Sequence, residues 1–143
     1  MKFRIFCSLI VLIVSSCSIN KTTEPTPTLP SGSFTGKFVY LHIHSFTGII
    51  DTLQANLQLN IDPTTGFKIT GDTATVHAGS YGSYLFGSNY NQIDFIDNTN
   101  VTPQKSHLNG VYQYIYDGTN LSMVQYSPLD TITYKYSFKK TTN

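Results

Sequence analysis

The chain has 143 residues, of which 40% are apolar, 13% aromatic and only 12% charged, and its formal net charge is +1. So few charges, with no basic cluster, are not typical of a protein that binds nucleic acid. The length suits one small domain beside a leader and a linker.

The first residues have the anatomy of a secretory leader, because Lys2 and Arg4 precede an apolar run from Ile5 to Val14. This run is too short for a comfortable membrane span. The tetrapeptide Val14-Ser15-Ser16-Cys17 resembles a bacterial lipobox, in which the cysteine is acylated and becomes the new N-terminus. The resemblance implies a lipoprotein signal peptide over residues 1–16 and lipid, such as palmitate, on Cys17. The alternative is that Cys17 simply lies near a conventional cleavage site.

Cleavage at this position would change both the cysteine count and the charge. Cys7 would leave with the leader and Cys17 would carry lipid, so no disulfide could form in the mature chain. Two of the nine basic residues would also be lost, so that the eight acidic residues would exceed the bases by one. We therefore expect a lipid-anchored protein of the bacterial cell envelope, attached to the outer membrane, with no nucleic-acid partner.

Residues 17–32 hold three prolines among threonines and serines, and they predict a linker that holds the folded part away from the membrane. A first strand is expected within Phe34–Phe46, with an ambiguous inward face because both faces are partly apolar. Asp51–Ile61 gives the clearest strand. Leu53, Leu57 and Leu59 alternate there with polar residues, which indicates an antiparallel sheet with one buried face.

The strand pattern is less clear in the middle of the chain. Residues 78–90 could be a strand with bulges or an aromatic loop, because three glycines interrupt the aromatic residues. A long polar connection follows over residues 97–106. The short strands expected in this part are Phe67–Thr70, Thr73–His77 and Asn91–Asp97.

The end of the chain carries two hairpin patterns. Asp117-Gly118-Thr119-Asn120 predicts a tight turn between two strands, and Ser127-Pro128-Leu129-Asp130 predicts the next turn. The final strand then alternates Tyr134, Tyr136 and Phe138 with polar residues. About eight strands without any helical period predict an all-β fold, a small antiparallel up-and-down barrel in which the first strand closes against the last.

The opening Gly32-Ser33-Phe34, the run from Leu108 to Met123 and the tyrosine-rich final strand resemble the small lipocalin-like (calycin-like) β-barrel lipoproteins of bacteria. The resemblance implies a barrel domain over residues 33–140. Many proteins of this kind are functionally uncharacterised, so the resemblance does not by itself indicate a ligand.

Tyrosines provide the main functional signal. Tyr112, Tyr114, Tyr134 and Tyr136 are the candidate ligand-binding residues, because tyrosine joins a large apolar ring to a polar tip. Two interpretations stay open. The protein is either a ligand-binding lipoprotein that holds a small apolar or amphipathic molecule at the barrel mouth, or a structural or protein-interaction module with a filled barrel.

Catalytic chemistry is not indicated, because the sequence contains no pair of carboxylates placed for acid and base work and no nucleophile or phosphate-binding motif. We expect no enzymatic activity, no cofactor and a monomer. His42 and His44 lie two residues apart on one strand and are weak metal candidates, because the sequence places no third ligand beside them. Three Asp-Thr pairs, beginning at Asp51, Asp72 and Asp130, either resemble acceptor sites for bacterial O-glycosylation or simply begin strands.

Overall fold

A computed structural model describes residues 27–100, 104–127 and 131–142. Eight antiparallel strands form a closed barrel in which each strand is bonded to its neighbours in chain order. The all-β, up-and-down barrel predicted from the sequence is therefore confirmed. The strands are β1 Gly32–Ile43, β2 Ile50–Asp62, β3 Gly66–Gly71, β4 Ser80–Phe86, β5 Gln92–Asp97, β6 Gly110–Tyr116, β7 Asn120–Tyr126 and β8 Ile132–Lys140.

Some predictions concern residues that this description does not include. The predicted signal peptide, Cys17 and the part of the predicted linker before residue 27 lie outside the described residues, as does most of the predicted turn at Ser127–Asp130. Within the ranges that the structure describes, no helix is long and apolar enough to cross a membrane.

The barrel closes between β1 and β8, as the sequence predicts. Phe38 pairs with Tyr136 and Gly36 pairs with Phe138 across this antiparallel seam. A Cβ atom at Gly36 would lie 2.0 Å from the carbonyl oxygen of Ser137, so only glycine allows the backbones to approach this closely. Because β1 pairs with β8, neither the first nor the last strand of the barrel is left as a free edge.

The register shows which connections share an end of the barrel. β1 begins at one end of the barrel, where Gly32 pairs with Ile61, and finishes at the opposite end, where Ile43 pairs with Ile50. We call the first the lower end and the second the upper end. The lower end carries the turns at residues 63–65, 87–91 and 117–119. The described residues of the upper-end connections are 44–49, 72–79, 98–100, 104–109, 127 and 131.

Side chains fill the barrel axis. The rings of Tyr112 and Tyr136 lie 5.5 Å apart at its centre, and Tyr136 also contacts the Phe38 ring at 4.9 Å. Each fully buried apolar side chain stabilises the fold by about 1.5–3 kcal/mol. The buried apolar core comprises Phe34, Phe38, Ala55, Leu57, Leu59, Ile61, Phe67, Ile69, Ile93, Phe95, Leu108, Tyr112, Tyr114, Leu121, Met123, Tyr136 and Phe138.

Inward-facing residues near the upper end are less buried than their pattern suggests. Leu53 lies on the same face of β2 as Leu57 and Leu59, yet 48% of its surface is exposed. The reason is the length of β3, which ends at Gly71 opposite Leu57 and leaves the upper part of β2 without a neighbour on that side. Burial was therefore predicted correctly for Leu57 and Leu59 and wrongly for Leu53.

The predicted strand at Thr73–His77 is wrong. The chain leaves the sheet at Gly71, whose φ is +103°, and Thr73–Val76 form turns. Only His77 makes an isolated bridge, to Ser106. The uncertain segment 78–90 contains the strand β4, so Tyr81, Tyr84 and Phe86 belong to the sheet, whereas Tyr90 lies in the turn that follows.

The hairpin between β6 and β7 has the predicted turn at Asp117–Asn120. Gly118 has a φ of +94°, and Asp117 Oδ1 accepts hydrogen bonds from the amides of Thr119 at 2.8 Å and Asn120 at 2.6 Å. The side-chain amide of Asn120, together with these backbone amides, lowers the pKa of Asp117 to about 2. Asp117 therefore stabilises the turn as a carboxylate.

Candidate functional site

Two connections meet over the upper end and close it. We call residues 72–79 and 104–109 the cap. The Ser106 amide donates to the Val76 carbonyl at 2.9 Å, and the Ala78 amide donates to the Ser106 carbonyl, also at 2.9 Å. Lys105 Nζ donates to the Thr73 carbonyl at 3.1 Å. The cap is therefore held together by backbone hydrogen bonds outside the barrel ladder.

His77 carries a polar group from the cap into the barrel. The residue is fully buried, with Nδ1 2.5 Å from the Ala78 carbonyl oxygen and Nε2 2.8 Å from Tyr136 Oη. A carbonyl only accepts, so Nδ1 donates to Ala78 and Nε2 accepts from the Tyr136 hydroxyl. Burial lowers the pKa of His77 to about 4. His77 is therefore a neutral imidazole at neutral pH, and it joins the cap to the core.

His107 forms a second polar contact at the same end. Its Nδ1 lies 2.9 Å from Asp97 Oδ2, and both side chains are almost completely buried. The other carboxylate oxygen of Asp97 accepts the Thr99 amide at 2.9 Å and the Thr99 hydroxyl. Both carboxylate oxygens of Asp97 thus form hydrogen bonds. These hydrogen bonds order the start of the connection between β5 and β6. Neither His77 nor His107 was identified as a site residue from the sequence.

A cleft of about 510 Å³ opens at the barrel mouth beside the cap, and we call it the mouth cleft. The rings of Tyr40 and Tyr134 lie 5.7 Å apart on its barrel side. Burial raises the pKa of Tyr134, so its hydroxyl is protonated and available as a donor at neutral pH. The lining residues are Tyr40, Leu53, Thr75, Val76, Gln104, Lys105, Ser106 and Tyr134. This mixture of apolar walls and polar tips suits a small amphipathic group.

The four candidate tyrosines do not share one cleft. Tyr112 and Tyr136 lie together in the core, where their rings fill the barrel axis. Tyr134 lines the mouth cleft at the upper end. Tyr114 is buried towards the lower end, with its ring 5.7 Å from that of Phe86. Tyr134 is therefore the one of these four that lines the mouth cleft.

The β1–β2 hairpin projects an apolar surface from the upper end. Ile43, Phe46, Ile49 and Ile50 are all exposed, and the Phe46 side chain is fully exposed to solvent. We call these four residues the apolar tip. No charged residue lies between Ile43 and Ile50 in the sequence. Exposed apolar side chains that lie together often mark a surface that another molecule covers.

The same hairpin places a third potential metal ligand, Asp51, beside His42 and His44. The sequence alone did not indicate this neighbour. The antiparallel register makes Asp51 the direct partner of His42, and one potential ligand atom from each of the three residues lies within 4.8 Å of the others. His44 Nε2 is 2.6 Å from Asp51 Oδ2. The register of a hairpin depends on its turn. The contact of Asp51 with the two histidines could therefore not be predicted before the turn at residues 44–49 was known.

The strands β1, β2 and β8, together with the turn at residues 44–49, thus bring five residues to the upper end: Tyr40, His42, His44, Asp51 and Tyr134. Their positions follow from this chain's own strand register. Comparisons of the chain with protein-family models, with curated proteins and with solved structures found no significant match.

Proposed function

We propose that the protein is a lipid-anchored lipoprotein of the bacterial cell envelope, and that its barrel domain is an interaction module for another envelope protein. The observation that carries this proposal is the position of the apolar tip. The chain begins the barrel at Gly32 on the lower end, whereas the apolar tip projects from the upper end. An anchor at Cys17 would therefore leave the tip free to meet a partner.

The filled core supports a role for the outer surface. A molecule could occupy the barrel axis only by displacing rings such as Tyr112, Tyr136 and Phe38, which are almost completely buried and pack against one another. Removing one large buried side chain from its packing costs about 3–5 kcal/mol, so this exchange is unfavourable. A binding role is therefore better assigned to groups that solvent already reaches.

The apolar tip has the composition of an interface centre. Aromatic and aliphatic side chains are enriched, and charged residues depleted, in the fully buried core of protein interfaces. Covering an exposed side chain of this size gains about 25 cal/mol for each Å² of apolar surface removed from water. Phe46, fully exposed in the turn between β1 and β2, is the natural anchor residue of such an interface.

Site-specific photo-crosslinking in cells tests the proposal. A photoreactive phenylalanine at position 46 should give one discrete crosslinked protein. The matched control is position 115 on the outer face of β6, where Ile115 is 77% exposed but lies outside the tip. Position 115 should give no such product, and Ile50→Asp should abolish the product from position 46. Equal products from both positions, or none from position 46, would count against an interface at the tip.

A second candidate function is binding of a small apolar or amphipathic molecule, and the mouth cleft favours it. Tyr134 and Tyr40 provide hydroxyl tips beside the apolar side chains of Leu53 and Val76. A ligand there would lie against the cap without entering the core. The two candidate functions use different residues of the upper end, so separate measurements can distinguish them.

A further inference from the structure

We propose that His42, His44 and Asp51 form a binding site for a divalent transition-metal ion, with Zn²⁺ as the test ion. The site is independent of the interaction proposed for the apolar tip. It rests on the strand register, on the distances among the three side chains and on the chemistry of their ligand atoms.

The hairpin places the three side chains together on ordered backbone. His42 and Asp51 face each other across the β1–β2 ladder. Directly opposed residues of an antiparallel pair have Cβ atoms about 4.5–5.5 Å apart. The turn brings in His44, because its amide donates to the Ile49 carbonyl at 2.9 Å and its carbonyl accepts from the Gly48 amide at 2.8 Å. The site is therefore built on a paired hairpin.

The side chains already converge. The His42 and His44 rings have centroids 4.5 Å apart, and the three potential ligand atoms lie within 4.8 Å of one another. Zinc ligands lie about 2.0–2.2 Å from the ion, so ligand atoms in a tetrahedral site are roughly 3.3 Å apart. Small side-chain rotations would bring the three groups to this spacing while β1 and β2 remain paired.

The ligand set fits a transition metal better than a hard cation. Imidazole nitrogen binds Zn²⁺, Cu²⁺ and Ni²⁺ well, whereas Mg²⁺ and Ca²⁺ prefer oxygen ligands. Two imidazoles and one carboxylate leave one tetrahedral position for water or another ligand. Tyr40 and Leu53, the next pair on the same face of this ladder, line the mouth cleft. The open coordination position would therefore lie near the rim of that cleft.

The hydrogen bond between His44 and Asp51 has a simpler explanation than a metal site. At 2.6 Å the two groups could merely pair with each other and hold the hairpin together. That role needs neither His42 nor an ion, because the hydrogen bond joins only His44 Nε2 and Asp51 Oδ2. A requirement for His42 therefore distinguishes a metal site from a hydrogen-bonded pair.

Zinc binding by the full chain, purified in detergent without a histidine tag, tests the inference. Equilibrium dialysis with metal analysis should find a bound Zn²⁺ that is lost from His42→Ala and His44→Ala. Each of these substitutions, and Asp51→Asn, should weaken binding at least tenfold, because even the loss of a group that only orients a metal ligand costs about 10–100-fold. Asp94→Asn, on β5 away from the hairpin, is the matched control and should bind as the wild type does.

Two further features keep the experiment decisive. Every variant differs from the wild type at one residue only, so any zinc held elsewhere in the chain cancels in the comparison. Zinc at the site should also raise the melting temperature of the wild type, because an ion bound only by the folded state stabilises it, and this shift should vanish in His42→Ala. Equal zinc binding by the wild type and both histidine variants, or no binding by the wild type, would overturn the proposal.

Discussion

Replacing Leu57 with aspartate should abolish folding of the barrel. Leu57 is almost completely buried on β2 and pairs with Gly36 beside the closing seam. The change removes about 1.5–3 kcal/mol of apolar burial and adds the cost of placing a carboxylate in an apolar interior, which is several kcal/mol. Domains of this size are stable by only about 5–15 kcal/mol, so the folded state should not survive. Circular dichroism and urea unfolding provide the measurement.

Gln58→Asp is the matched control for this experiment. Gln58 is the next residue on β2, and its side chain points outward to solvent. The same carboxylate placed there should leave the unfolding transition within about 0.5 kcal/mol of the wild type. If Leu57→Asp unfolded at the same urea concentration as Gln58→Asp, the inward face of β2 would be wrongly assigned.

Replacing Cys17 with alanine should release the protein from membranes into the soluble fraction. A lipid anchor contributes about 0.8 kcal/mol for each buried methylene, so removing the cysteine that we propose to be acylated should remove most of the membrane affinity. Cys7→Ala is the matched control, because Cys7 lies within the predicted signal peptide. Cell fractionation followed by immunoblotting measures the distribution.

Only the Cys17 variant should become soluble. Membrane association that stays the same in Cys17→Ala would remove lipid anchoring from the account. Because Cys17 precedes the barrel, purified Cys17→Ala should unfold at the same temperature as the wild type.

Local patterns predicted most of the barrel. The alternation of Leu57 and Leu59 with polar residues indicated a strand with one buried face, and Asp117-Gly118 indicated a tight turn. Both signals depend on neighbouring residues alone, and both were confirmed. The short connections then required antiparallel neighbours, and the absence of helical periods left a barrel as the simplest closure.

The errors arose where long-range contacts decide the structure. Thr73–Val76 have β-forming side chains, yet they turn away from the sheet to pair with the connection near Ser106. The exposure of Leu53 depends on where β3 ends, and its own alternation cannot show that. Local propensity is overridden in both cases by tertiary contacts.

The candidate site was less predictable than the fold. Tyr134 and Tyr136 share a face, but one lies at the rim and the other at the centre, because depth along the barrel axis varies from residue to residue. Asp51 became a partner of His42 only through the hairpin register. The buried position of His77 depends on a cap formed by two connections far apart in sequence.

The barrel is filled, and we propose that binding takes place at its upper end. Methyl NMR during titration with the apolar amphiphile N-phenyl-1-naphthylamine tests both points most directly. Met123, Ile93 and Leu57 report on the axis, whereas Leu53 and Val76 report on the mouth cleft. The account predicts unchanged signals from the axis at saturating probe, with any shifts confined to the cleft. Large shifts of Met123 and Ile93 would place the probe inside the barrel and contradict the account.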